Sequence, residues 1–261
     1  MGLRFLGSLR GLRVQLLLWT VLPLTLILVG VTIAGITGHQ SAMRAMVEEL
    51  DARSARLAAA HLNEGLAQRA ALLQMLAESP TAITAESLDT YFDGGYALFS
   101  GPNPPADAAI WQERWSHLPN VSSSTSGPFF SAPFLDPVTQ KYSELIVHAA
   151  PPGSVVAGVV SLEQLGLNEA VSQNQPPVRH TSGDGGSQPE SRAVAYLVDD
   201  VGRVIYHPDS ALIGQNLAAH AGVRAALSGQ AGATYHQEPD GQELAVGYAP
   251  VPATGWSLIV Q

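Results

Sequence analysis

Seven residues in the middle of the chain have the types and spacing to hold a small molecule: Trp111, Arg114, Trp115, Phe129, Phe134, Asp136 and Tyr142. Ligand sites combine aromatic walls with a few placed polar groups, and an arginine with an aspartate can hold both ends of a zwitterion or one carboxylate. The same residues also suit an ordinary core plus a turn, because aromatics on strands pack and Asp136-Pro137 is a common turn opener. Other chemistries find no support. Absence of cysteine excludes disulfides, Cys-ligated zinc, iron–sulfur clusters and thiol catalysis. No G-x-S-x-G, HExxH or GxxxxGK[ST] motif is present, so neither an enzyme nor a cofactor is expected. His148, His180, His207, His220 and His236 lack paired-ligand spacing, and Pro208 between His207 and Asp209 favours a turn over a metal site.

The elements that must position these residues are strands. Between 91 and 167, β-prone runs at 129–134 and 142–149 flank Asp136-Pro137, and a third run at 155–160 follows the bend at Pro151, Pro152 and Gly153. This predicts a sheet module over 80–171. Residues 172–192, rich in Gln, Pro, Gly and Ser, predict a flexible linker. Beyond it, 194–198 and 203–206 predict a hairpin around an Asp199 to Gly202 turn, and 217–227 a helix opened by Asn216 and closed by Gly229. Runs at 233–236, 244–249 and 256–260 predict three more strands. Five antiparallel strands with a helix on one face form a PAS-like module over 193–261.

Ahead of these modules, residues 14–38 form 25 positions without a charged side chain, longer than the ~20 needed to cross a bilayer as a helix. Arg4, Arg10 and Arg13 precede them, so residues 1–13 are expected in the cytoplasm and the rest outside. Residues 39–79 are rich in Ala, Leu, Glu, Gln and Arg with helical apolar spacing, predicting a stalk helix ended by Pro80. Its upper half should pack on the sheets and its lower half self-associate, giving a homodimer. Beyond 38 the chain carries 10 basic against 22 acidic residues, which disfavours nucleic acid. The expected fold is α+β: a transmembrane helix, a long stalk helix and two antiparallel-sheet modules.

Asp199, Gly202, Val204, Ile205, Tyr206, His207, Pro208 and Asp209, then Ile213-Gly214 and the closing Thr254-Gly255-Trp256, resemble the membrane-proximal half of a double Cache domain. Residues 91–167 resemble the membrane-distal half more loosely. The resemblance implies the extracytoplasmic sensing module of a bacterial histidine kinase, chemoreceptor or cyclic-dinucleotide enzyme, with a small ligand in the distal half. It also implies a receptor truncated at Gln261, before a second membrane helix and an output domain. Amino-acid-binding members carry R-x-W-Y and a later Y-x-D. Here Trp115 and Asp136 match, while Glu113 and Ser116 stand where R-x-W-Y has its Arg and Tyr, Arg114 adjoins Trp115, and Phe134 replaces the Y of Y-x-D. Amino acids and other small organic ligands therefore both stay open. The competing reading is a membrane-tethered dimerisation protein without ligand.

Overall fold

The computed structural model describes residues 12–79, 84–118, 127–150, 153–167, 194–237 and 243–261, so the linker expected at 172–192 and Pro80 lie outside the described residues. The chain divides into two compact units, Met1–Val47 and Glu48–Gln261. Helix α1 runs over Leu12–Glu78.

In the first unit, Trp19, Leu22, Leu24, Ile27, Leu28 and Val31 are all exposed. The helix is long and apolar enough to cross a bilayer. Polar side chains in this run are satisfied internally: the hydroxyls of Thr25, Thr32 and Thr37 donate to the carbonyls of Val21, Leu28 and Ile33, four residues back. Pro23 sits within the helix, as membrane helices tolerate.

In the second unit the strands form two five-stranded antiparallel sheets. The first contains β1 (Tyr96–Phe99), β2 (Pro128–Phe130), β3 (Phe134–Leu135), β4 (Tyr142–Ala150) and β5 (Ser154–Ser161). Its order is β1-β5-β4-β2, with β3 also paired to β4. Helices α2 (Ala85–Tyr91) and α3 (Ala109–Trp115) flank β1 in the chain. The second sheet contains β6 (Ala195–Val198), β7 (Val204–Tyr206), β8 (Gly232–Gln237), β9 (Glu243–Val251) and β10 (Trp256–Val260) in the order β7-β6-β10-β9-β8. Helix α4 (Ala221–Leu227) packs Val223 and Ala226 against Tyr196, Val198, Val246 and Ile259 of that sheet.

One face of α1 serves both sheets. Ala55, Ala59, Leu62, Leu66, Ala70, Leu73 and Leu76 recur at three- and four-residue steps, the spacing that puts side chains in one stripe. They share a core with Ile146, Val156 and Val160 of the first sheet and Leu197, Ala249, Leu258 and Val260 of the second. The alanine end of the stripe permits close approach. A Cβ added to Gly247 would run into the Asp51 backbone carbonyl.

The second module follows the expected order of elements, but its helix starts at Ala221 rather than at 217. The Asn216 side chain accepts from the Ala218 N–H in a local turn instead of capping the helix. The first module differs more. Residues 129–134 fall in two short strands, because Ser131 still bonds Leu145 but Ala132 gives its N–H to the His117 carbonyl and Pro133 has none, and Trp111 to Trp115 lie on a helix rather than a strand.

Leu66 is fully buried in the shared stripe. Leu66→Ala should destabilise the second unit by about 2–5 kcal/mol, whereas Met75→Ala, at an exposed position, should stay within about 0.5 kcal/mol, both read by urea unfolding in detergent micelles. Burial pushes the Asp51 carboxyl up to about 6. Folding therefore favours its protonated form, and that stabilisation, complete below the ordinary carboxylate value of about 4, is lost as pH rises through about 6. Asp51→Asn should raise the melting temperature at pH 8 and leave it nearly unchanged at pH 4.

Candidate functional site

Trp111, Arg114 and Trp115 sit three and four residues apart, so the short helix α3 presents them on one side. Trp111 and Trp115 meet the Phe99 ring edge-on, with centroids 5.6 and 5.9 Å away, which fastens α3 to the outer face of the first sheet. Leu145, Val147, Ala157 and Val159 complete that cluster.

Arg114 is thereby buried, 3% exposed. A buried guanidinium needs a partner, and the β3–β4 turn supplies it: Arg114 Nε donates to Asp136 Oδ1 at 2.6 Å. The second carboxylate oxygen accepts from the Thr139 N–H at 2.8 Å and from its hydroxyl at 3.0 Å. Within the same turn the Asp136 N–H donates to the Lys141 carbonyl and the Gln140 N–H to the Asp136 carbonyl. Burial alone would raise the Asp136 pKa, but the hydrogen bonds from Arg114 and Thr139 and the guanidinium charge outweigh it and hold the carboxyl below its usual range.

The guanidinium carbon of Arg114 stands 4.8 Å from the Trp111 ring centroid. Its Nη2 is buried and has no hydrogen-bond partner among the described residues. Arg114 is also one of the residues around a cleft of about 470 Å³, with Gly94, Gly95, Tyr96, Trp111 and Val138, together with residues 107–110. That volume suits a small organic molecule. One wall comes from the turn before β1, another from the start of α3 and a third from the tip of the β3–β4 turn.

Of the seven residues singled out in the sequence, Trp111 and Arg114 line this cleft. Trp115, Phe129 and Phe134 belong to the apolar cluster beneath α3. Asp136 is fully buried and holds Arg114 from behind, and Tyr142 starts β4 with its side chain half exposed. Sequence reasoning missed Gly94, Gly95, Tyr96, Asp107 and Ile110. The Asp93-Gly94-Gly95 run did announce a turn, and Gly95 takes φ 89° there. Nothing local says that this turn faces α3.

A comparison with protein-family models finds no match, and one with curated protein sequences finds none. Solved structures do match. The extracellular domain of soHK1S-Z6, described as a histidine kinase, aligns over 85% of this chain and 96% of its own with TM-score 0.56 and 17% identity. The periplasmic sensory domain of the Campylobacter jejuni chemoreceptor Tlp1 aligns over 83% and 95%, with TM-score 0.54 and 13% identity. The ligand-binding domain of the Pseudomonas fluorescens chemoreceptor CtaA, in complex with L-serine, aligns over 83% and 97%, with TM-score 0.51 and 18% identity. The chain has the double Cache fold. At these identities the likeness is one of architecture, and the cleft has to be judged on its own side chains.

Arg114→Ala and Asp136→Ala should each cost about 3–5 kcal/mol, because each leaves a buried charge without its partner. The double variant should cost less than the sum, as read by a double-mutant cycle in urea. With its folded-state pKa depressed, Asp136 contributes stability that is complete above the ordinary aspartate value of about 3.9 and is lost as pH falls through the folded-state value. Asp136→Asn should accordingly flatten the acid limb of the stability profile.

Proposed function

We propose that this chain is the extracytoplasmic sensing module of a bacterial signal-transduction receptor, held in the membrane by residues 14–38, and that it binds a small organic ligand in the cleft beside Arg114. One observation carries the reading. The cleft wall holds a buried guanidinium with an unpartnered donor, Arg114 Nη2, over the indole face of Trp111. An unpaired buried donor is costly, and a small movement of the Arg114 side chain on binding would let a ligand oxygen remove that cost. Trp111, Ile110 and Val138 offer apolar contact, and Asp107 offers a carboxylate for an amine. The CtaA domain holds L-serine on the same architecture, which supports a small polar ligand as the class.

The cytoplasmic N-terminus follows from the arginines before the apolar run, and the modules then face outward. A homodimer through the lower part of α1 fits the exposed Met43, Met46 and Val47. Because Asp136 is already engaged by Arg114 and Thr139, it acts here as a positioning residue that fixes the guanidinium. A ligand that binds one placement of α3 and the β3–β4 turn better than another shifts the population between them, and α1 is packed on the same sheet. No catalytic step is assigned to the chain.

A thermal-shift screen of the full chain in detergent micelles tests this, against amino acids, organic acids, amines and purines. A ligand at a hundredfold excess over its Kd should add about 2.7 kcal/mol of stability. Ile110→Trp, which fills the cleft from a half-exposed position, should abolish the shift without lowering the melting temperature of the free protein. A hit that survives that substitution would place binding elsewhere. A panel without hits on folded protein would favour a ligand-free dimerisation module.

A further inference from the structure

On the opposite face of the first sheet lies a second buried ionisable side chain, and this one has no hydrogen-bond partner among the described residues. Side chains alternate along β4, so Leu145 and Val147 face the cleft side while Glu144, Ile146 and His148 face α1. Glu144 is fully buried, and neither of its oxygens has a hydrogen-bond partner among the described residues. The group facing it from α1 is Arg69, whose positive charge acts on it. That guanidinium is committed elsewhere: Nε donates to the Tyr91 carbonyl at 3.1 Å and Nη1 to the Gly65 carbonyl at 3.0 Å. Asp93 and Tyr91, at the end of α2, also act on Arg69, and Glu78 on α1 acts on His148.

These contacts lead straight to the cleft. Tyr91 ends α2, and the turn that follows contributes Gly94, Gly95 and Tyr96 to the cleft wall. The turn is tied down by Arg69 at its start, by Asp93 Oδ1 accepting from the Ser161 N–H at 2.7 Å, and by the Gly94 N–H donating to the Val159 carbonyl at 3.1 Å. A carboxylate with two empty acceptor oxygens next to the cation that anchors this turn competes with the Tyr91 carbonyl for it. A neutral carboxyl does so far less.

We infer that Glu144 is a proton-operated latch on the cleft wall: uncharged, it leaves Arg69 holding the turn that follows α2, and ionised, it draws the guanidinium off the Tyr91 carbonyl and loosens that turn. The proton released goes to bulk water. Burial raises the Glu144 pKa well above the ordinary range, against the opposing charge of Arg69, so the folded chain stores the protonated form. Its stabilisation is therefore complete below the ordinary glutamate value of about 4.3 and is lost as pH rises through the folded-state value. His148, lowered by burial, does not add charge to the seam as pH rises. Only the consequence for ligand binding rests on the cleft reading given above.

The test uses the full chain in detergent micelles and no ligand. Infrared spectra of an Asp51→Asn background, recorded above the ordinary carboxylate range, should retain a protonated-carboxyl band that Glu144→Gln removes. Raising the pH further should erase the band, lower the melting temperature and speed amide exchange at residues 92–96 beyond the intrinsic base-catalysed rate. All three changes should share one midpoint and be absent in Glu144→Gln. A spectrum with no Glu144-dependent band above the ordinary carboxylate range, or equal pH dependence in the two proteins, would overturn the proposal. If the Glu144→Gln variant does not fold, titration of the Asp51→Asn background decides alone, since band loss and exchange at 92–96 with separate midpoints also overturn it. Either failure leaves the ligand screen and its cleft-filling control standing as an independent measurement.

Discussion

The second unit of this chain depends on one stripe of one helix. Ala55, Ala59, Leu62, Leu66, Ala70, Leu73 and Leu76 of α1 cover the inner faces of two sheets that share no strand. A five-stranded sheet with a short helix on one side leaves its other side apolar and unprotected, and burying such a face is worth about 25 cal/mol per Å². The stripe meets that need for both modules at once, so neither module has a complete core without the helix. Small residues along the first turns let the second sheet come close, to the point that Gly247 has no room for a side chain against Asp51.

That arrangement makes the first sheet a membrane between two chemically different layers. Odd-numbered side chains of β4 and β5 meet the aromatics under α3, and even-numbered ones meet α1. Each layer contains a buried ionisable group, and the two are treated differently. Arg114 on the cleft side is paired with Asp136 through a short, multiply supported hydrogen bond, which holds the Asp136 carboxyl ionised despite its burial. Glu144 on the helix side has a cation nearby but no hydrogen bond to it, so the neutral form is the one that burial favours. Both groups are linked to the cleft, the first by lining its wall and the second through the anchor of the turn after α2.

Much of the second module was legible because its information is local. The Asp199 to Gly202 turn, the turn at His207 to Asp209, where Asp209 accepts from the Ala211 N–H, and the Gly229 stop at φ 81° each act within a few residues of the signal that announces them. The first module was less legible for a related reason. Residues 109–115 are too short to show a helical period, and aromatic content alone suggested strands; tertiary contact with Phe99 is what stabilises the helix there. The pairing of Arg114 with Asp136 likewise spans 22 residues and a reversal of the chain. Composition nominated both residues without indicating that one would hold the other.

The amino-acid sequence by itself determined the apolar segment of residues 14–38, the stripe on α1, the order of strands and helix in the second module and the set of aromatic and charged residues from which a site would be drawn. These follow from period, propensity and turn chemistry, which act between neighbours along the chain. Only the tertiary structure decided which of those residues face the cleft, that Asp136 supports Arg114 from behind, that Gly94 to Tyr96 form a wall, and that Glu144 lies buried on the α1 side, within the influence of the Arg69 charge. The physical reason is that burial and charge pairing are set by what folds on top of a residue. Along β4 a step of one residue separates the cleft layer from the helix layer, and composition carries no record of which side will be covered by which partner.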